Sequence, residues 1–210
     1  MTSRLGILIS GRGSNLQSLI DAIDSGHLDA TIALVISNRP EAGGLTRAKD
    51  AGLETLCLQQ QDFENRVAYD QALADALGAH RVDLVCLAGF MRLIGAPMLD
   101  AFPNRILNIH PSLLPAFPGL DAQKQALDYG VRVSGATVHL VTEELDGGPI
   151  VMQASVTLQP DDDVESLSAR ILVEEHRIYP RAVSLVLAGG WRIEGRRFVT
   201  QPGEMMLPGL

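Results

Sequence analysis

Cysteine, tryptophan and aromatic side chains are scarce in this 210-residue chain, which has two Cys, one Trp and 4% aromatics. Two thiols cannot build the disulfide framework of a small secreted module. Cys57 and Cys86 both lie inside apolar runs, where a thiol is expected to pack as a small hydrophobe. No apolar run approaches the roughly 20 residues of a membrane helix. The first run, residues 5–9, is too short for the core of a signal peptide, and the two absences point to a cytoplasmic location. Basic residues are the minority, 17 Lys and Arg against 25 Asp and Glu, for a formal charge of -8. That balance argues against nucleic acid or an anionic membrane as partner and leaves a small ligand, for which a local basic pocket remains compatible. His and Cys nowhere cluster at metal-ligand spacing, so no metal is expected, and there is no G-x-S-x-G nucleophile elbow.

What is present describes a protein with a core to bury. Hydrophobic residues make up 46% and charged residues 20% of the chain, and the length favours one domain. Short apolar runs at 5–9, 32–36, 55–58, 84–88, 106–109, 137–141 and 151–156 alternate with amphipathic stretches. The pattern is that of an α/β fold, a mostly parallel twisted sheet of about seven strands with helices on both faces. Leu16, Leu19, Ile20 and Ile23 recur at helical spacing behind the first strand, with Ser14 or Asn15 as the natural N-cap. A long helical pattern runs from Val164 through Leu167, Ile171 and Leu172 toward Ala188, and Pro180 inside it is expected to kink or restart the helix. Beyond Gly190, Trp191-Arg192-Ile193 and Arg197-Phe198-Val199 flank Glu194-Gly195-Arg196 as a terminal hairpin. The tail over 201–210 reads as frayed.

Between the first strand and its helix lies Ser10-Gly11-Arg12-Gly13-Ser14-Asn15, a glycine loop whose N–H groups and helix dipole suit a phosphate. It is not G-x-G-x-x-G, because Leu16 stands in the third glycine's place, and it lacks the Gly-Lys-Ser/Thr of a Walker loop. The second strand ends in Ser37-Asn38-Arg39, without the acidic residue that would hold an adenosine ribose, so a dinucleotide is disfavoured. The most informative stretch is Asn104 to Pro115. A strand's period of two puts Asn108 and His110 on one face, and Pro111 ends the strand just after the histidine. Ligands of open parallel sheets bind outside the carboxyl ends of strands. The turn Glu143-Glu144-Leu145-Asp146-Gly147-Gly148-Pro149 can swing a carboxylate toward the same edge.

Taken in order, Ile9-Ser10-Gly11, Gly13-Ser14-Asn15-Leu16, Leu87-Ala88-Gly89-Phe90-Met91-Arg92, Leu107 to Pro115 and Glu144 to Pro149 resemble the motifs of the folate-dependent formyltransferases, over roughly residues 5 to 190. The branch most similar acts on glycinamide ribonucleotide, and Phe117-Pro118-Gly119-Leu120 also resembles that branch. The resemblance implies a single Rossmann-like formyltransferase domain over 1–210, with a nucleotide-binding half over about 1–100, a folate and catalytic half over about 101–190 and a tail from 191. It implies that Asn108, His110 and Asp146 are catalytic, that Gly13, Ser14 and Asn15 hold a substrate phosphate, and that Glu175 holds the ribose hydroxyls. Arg66, Met91, Arg92, Leu93, Ile94 and Asn108 would line the pocket for 10-formyltetrahydrofolate, and the loop from Thr142 to Asp146 would close over the pterin. A monomer or homodimer is implied, with a deformylase-like hydrolase of the same folate as the alternative activity. Relatives often carry histidines where this chain has Asp121 and Gln123, and Leu172 stands where a polar side chain can approach the phosphate. On this reading Asn108 donates to a developing oxyanion, His110 is protonated, and Asp146 favours the imidazolium.

Overall fold

The computed structural model describes residues 2–200; the frayed tail expected over 201–210 lies outside the described residues. The first strand, β1 (Ser3–Ile9), is buried from Leu5 onward, as a strand covered on both faces must be, and this is why its sequence is almost continuously apolar. Helix α1 (Ser14–Asp24) follows the glycine loop, and β2 (Ala30–Ser37), α2 (Gly43–Asp50), β3 (Thr55–Cys57), α3 (Arg66–Ala79) and β4 (Leu84–Leu87) follow in turn. Next come α4 (Ala96–Ala101), β5 (Ile106–His110), α5 (Ala122–Tyr129), β6 (Val133–Leu140) and β7 (Ile150–Thr157). The long α6 (Val164–Ala188) and the hairpin β8 (Arg192–Glu194) and β9 (Arg197–Val199) complete the described residues.

All strands join one sheet in the order β3-β2-β1-β4-β5-β6-β7-β9-β8. The strands from β3 to β5 are parallel, whereas β6 is antiparallel to both β5 and β7. The seven expected strands are present, and the terminal hairpin brings the sheet to nine by pairing β9 parallel to β7. Strand alternation sorts the core into two sides. Leu5, Ile7 and Ile9 of β1 and Leu107 and Ile109 of β5 pack with Leu16, Leu19, Ile171 and Tyr179 of α1 and α6. Leu8, Val85 and Ile106 pack with Tyr69, Leu73, Met98 and Phe102 on the α3/α4 side. Each such buried Leu or Ile contributes roughly 1.5–3 kcal/mol over an exposed one. The strand order reverses between β1 and β4, so the chain leaves the two carboxyl ends in opposite directions and opens a crevice there.

Four local expectations change. Helix α1 is not capped by a side chain, because Gly13 occupies the N-cap in a left-handed conformation, with φ 73°, and Asn15 is turned inward instead. Helix α6 does not restart at Pro180 but continues through it as one element, although that residue brings no N–H to the ladder. Buried Ile178, Tyr179, Ala182 and Val183 hold both flanks against the sheet, and that packing outweighs the roughly 1 kcal/mol of one lost hydrogen bond. Strand β6 begins four residues before the expected 137, because Ser134 and Gly135 break the apolar pattern while remaining buried. A Cβ on Gly135 would stand 1.9 Å from the Ala154 carbonyl oxygen, so only glycine lets β7 come so close. Finally, Cys57 is exposed at the end of edge strand β3, and only Cys86 packs in the core. Among the described residues no helix is long and apolar enough to cross a membrane.

Candidate active site

At the crevice between β1 and β4, the loop after β1 is stitched to the loop after β4. The Ser10 N–H donates to the Gly89 carbonyl at 3.1 Å, and the Met91 N–H donates to Ser10 Oγ at 2.8 Å. Gly13 and Gly44 sit so close that a Cβ on Gly13 would fall 2.5 Å from the Gly44 Cα. The loop is therefore pinned against the start of α2, while the first-turn N–H groups of α1 have no intrahelical acceptor. A cavity of about 870 Å³ opens here, lined by residues 10–15, Arg39, Met91, Ile109, Pro111, Gln123, Leu172 and Glu175 among others. It gathers Gly13, Ser14, Asn15 and Glu175, as the sequence suggested, and Met91 with them. Glu175 is not part of a surface ion pair: it is 7% exposed and its Oε2 accepts from Asn15 Nδ2 at 2.7 Å. Burial pushes its carboxyl above the usual value, and the Asn15 amide only partly offsets this.

On the α3/α4 side a second cavity of about 820 Å³ is lined by Arg66, Val67, Asp70, Gln71, residues 94–97, Asp100, Ala101 and Glu143. It takes in Arg66 and Ile94 of the residues proposed for the folate. Asp70 shapes this wall from a buried position, with Oδ2 accepting from the Gly95 N–H at 2.9 Å and lying 3.7 Å from Arg66 Nε. Burial raises its carboxyl despite Arg66 and Gly95. Met91 and Leu93 are exposed apolar side chains at 60% and 55%. Arg92 and Leu93 line neither cavity. Both cavities draw on residues from either side of position 100, so the residues of the two proposed halves are sorted by sheet face rather than by chain order.

The tip of β5 reaches the first of these cavities through Ile109 and Pro111. Leu107 and Ile109 face the α1/α6 core and Ile106 the other, so alternation sends Asn108 and His110 to the α3/α4 side. The turn after β6 brings Asp146 to them. Its Oδ2 lies 3.5 Å from His110 Nδ1 and its Oδ1 3.6 Å from His139 Nε2, and the Gly119 N–H donates to Oδ2 at 2.8 Å. Asn108, His110 and Asp146 therefore meet, and a second imidazole, His139, joins them. Asn108 Nδ2 is 3.1 Å from His139 Nε2, and His139 Nδ1 is 3.0 Å from the Leu140 carbonyl oxygen. A proton on Nδ1 lets His139 donate to Leu140 and accept from Asn108, whereas donation to Asp146 requires the proton on Nε2.

The electrostatics correct one expectation. His110 is flanked by two acceptors, Asp146 at Nδ1 and the Phe117 carbonyl at Nε2, 2.9 Å away. Burial nevertheless dominates and holds the ring below the ordinary 6.5, against the pull of Phe117 and Asp146 and with the push of His139. That direction favours a neutral ring at rest over the expected protonated one. Burial alone would raise Asp146, but the His139 ring, the Gly119 N–H and the His110 ring outweigh it and keep the carboxylate ionised. A carboxylate between two imidazoles can steady a proton on either ring, and the adjoining amide can donate to a developing negative oxygen.

His139, Arg12 and Arg39 went unnoticed in the sequence as members of these sites. The signal for His139 was its place beside Thr137 on alternate positions of an otherwise apolar strand, but its pairing with Asn108 is a long-range register. Arg12 and Arg39 were legible only as exposed cations.

A phosphate-sized cradle at a topological switch point, next to a proton-handling cluster on the following strand, marks the class of open α/β enzymes that act on phosphorylated ligands. Comparison with known proteins narrows this. A family model described as formyl transferase matches residues 3–183. The chain is 43% identical over 190 residues to the phosphoribosylglycinamide formyltransferase of Escherichia coli, covering 90% of this chain and 87% of that protein. It is 51% identical over 188 residues to the trifunctional purine biosynthetic protein adenosine-3 of Drosophila melanogaster; the match takes in 89% of this chain but spans only 14% of that relative's length. Among solved structures, glycinamide ribonucleotide transformylase 1 from Symbiobacterium toebii matches with a TM-score of 0.93 at 55% identity, over 95% of this chain and 94% of that one. The chain belongs to the formyl transferase family.

Proposed function

We propose that this chain transfers a formyl group from 10-formyltetrahydrofolate to the primary amine of glycinamide ribonucleotide, a step of purine (IMP) synthesis in the cytoplasm. The observation that carries the reading is the Asp146 carboxylate held between His110 and His139, with Asn108 beside them, at the end of the strand next to the anion cradle. The names of the relatives support the same choice of substrates. Gly13, Ser14 and Asn15 take the phosphate through backbone N–H groups of the α1 N-terminus. Arg12 and Arg39, in the wall of the same cavity, supply the cationic side chains that Leu172 cannot. Glu175 accepts from the ribose hydroxyls. The second cavity fits a folate in its chemistry: Val67, Ile94 and Pro97 give an apolar wall for a flat ring system, and Arg66 gives a cation for a carboxylate tail. Met91, Arg92 and Leu93, which the resemblance also assigns to the folate, lie outside the lining of this cavity.

The bound folate supplies the formyl carbon and the leaving nitrogen. Asn108 has one amide N–H engaged by His139 and the other free to donate to the formyl oxygen as it becomes negative. Loss of such a donor costs about 10²- to 10³-fold in rate. Neutral His110 accepts the proton that the attacking amine sheds, is steadied as an imidazolium by Asp146, and returns the proton to the departing nitrogen. One C–N bond forms, one breaks, and a single proton crosses between the two nitrogens through the ring. The pairing with Asp146 matters only in that interval, when the ring carries charge.

The test is an absorbance and formate assay on the purified chain with the folate alone and with the amine added. Formyl transfer that requires glycinamide ribonucleotide is the expected result. Rapid formate release without the amine would instead identify a deformylase-like hydrolase.

A further inference from the structure

The turn that carries Asp146 is not held by its own strands alone. Asp146 adopts a left-handed backbone, with φ 49°, a region that non-glycine residues enter uncommonly, Asp and Asn more readily than most. The backbone closes the loop at its base through the Leu140 N–H to the Pro149 carbonyl at 2.9 Å and within the turn through the Gly147 N–H to the Glu144 carbonyl at 3.2 Å, and the carboxylate itself is anchored by Gly119. A further hold comes from the terminal hairpin. Arg196 Nη1 donates to Glu144 Oε2 at 3.0 Å, and its Nη2 donates to the Gly147 carbonyl at 2.5 Å. One guanidinium thus grips the turn on both sides of Asp146, a fork that only a planar two-pronged donor makes. The hairpin is itself moored, by β9 pairing with β7 at Ile150 and Arg197, by Trp191 stacked on Phe198, and by Trp191 Nε1 donating to the Val186 carbonyl at 3.0 Å. The family match stops at residue 183, so this hold comes from a part of the chain outside the matched segment.

We infer that Arg196 is a positioning residue for the reaction: through Glu144 and the Gly147 carbonyl it fixes the turn so that the Asp146 carboxylate stays within reach of His110. The inference rests on the catalytic reading of Asp146 given above. Both ends of the ion pair are exposed, so the contact adds little to global stability; its effect is local, on the conformations open to the turn.

The experiment compares Arg196→Ala, Arg196→Lys, Glu144→Gln and Asp146→Asn with the unaltered chain. Turnover, Michaelis constants, melting temperature and hydrogen exchange of the amides from 143 to 148 are measured for each. Arg196→Ala is expected to lower kcat by roughly threefold to tenfold, the scale of losing one screened pair and one backbone hydrogen bond. The Michaelis constant for the phosphorylated amine stays unchanged, exchange of the turn quickens, and melting shifts by no more than about two degrees. Arg196→Lys, which keeps the charge but not the fork, and Glu144→Gln, which leaves the Gly147 bond, fall between. Quicker exchange with unchanged kcat, or unchanged exchange, would overturn the inference. If Asp146→Asn keeps full turnover, the catalytic reading fails instead, and the exchange data still report whether the hairpin holds the turn.

Discussion

Asp146 is ionised beside a His110 ring that rests neutral, and this unequal pair makes the chemistry testable one residue at a time. Burial holds His110 below its ordinary 6.5, and the Asp146 charge is among the forces pulling it back up. By NMR the His110 ring is therefore expected to titrate below 6.5 in the unaltered chain and lower still in Asp146→Asn, with turnover of both Asp146→Asn and His110→Ala reduced by roughly tenfold or more. A ring that titrates above 6.5, or that ignores the loss of Asp146, would remove the proposed coupling. Glu175 offers the opposite sign. Its carboxyl is raised above the ordinary 4.5, so between 4.5 and its folded value the folded chain holds more protons than the unfolded one, and stability falls as pH rises through that window. Glu175→Gln removes the loss and can still accept from Asn15. It is expected to melt higher than the unaltered chain near neutral pH, to converge with it toward about pH 4, and to bind the ribose more weakly. Thermal melts across pH check the first part and saturation curves the second.

Among the elements, the loop between β1 and α1 depends on glycine at one position and not at another. Gly13 has φ 73° and would drive a Cβ into the Gly44 backbone, whereas a Cβ on Gly11 meets nothing within 4 Å. Gly13→Ala should cost about 1–3 kcal/mol from backbone strain and overpacking, lower the melting temperature by several degrees, and raise the Michaelis constant of the phosphorylated substrate. Gly11→Ala, as the control in calorimetry, should leave melting nearly unchanged. Equal effects of the two would show that the close approach of α2 is not what shapes the cradle. The same loop shows what a sequence can and cannot convey. Its place behind an apolar run, its glycines and the helical spacing of Leu16, Leu19 and Ile20 were all local signals, and the loop lies where they put it. The side-chain cap expected from Ser14 or Asn15 failed because Asn15 answers to Glu175, 160 positions away.

For the molecule as a whole, the strands and the long final helix were legible because burial on both sheet faces writes itself as apolar runs, and burial of one helix face as a spacing of three and four. Antiparallel pairing of β6 with β5 was not legible, and with it went His139, whose partner Asn108 is set by register across the sheet rather than by neighbours in the chain. The cores on the two sides of the sheet were likewise hidden, since alternation says that successive residues part company but not what each will meet. Met91 and Arg92, adjacent in sequence, show the limit: the first lines the cavity at the switch point and the second lines neither cavity.

The two cavities have no lining residue in common: one draws on the glycine loop, α1 and α6, the other on α3 and α4. Acceptor and donor molecules that enter by separate doors impose separate demands on the chain. If the proposed function holds, substitutions in α1 and α6 would retune which amine is accepted while α3 and α4 kept their grip on the one-carbon carrier, an architecture that lends itself to changing one partner of a reaction at a time.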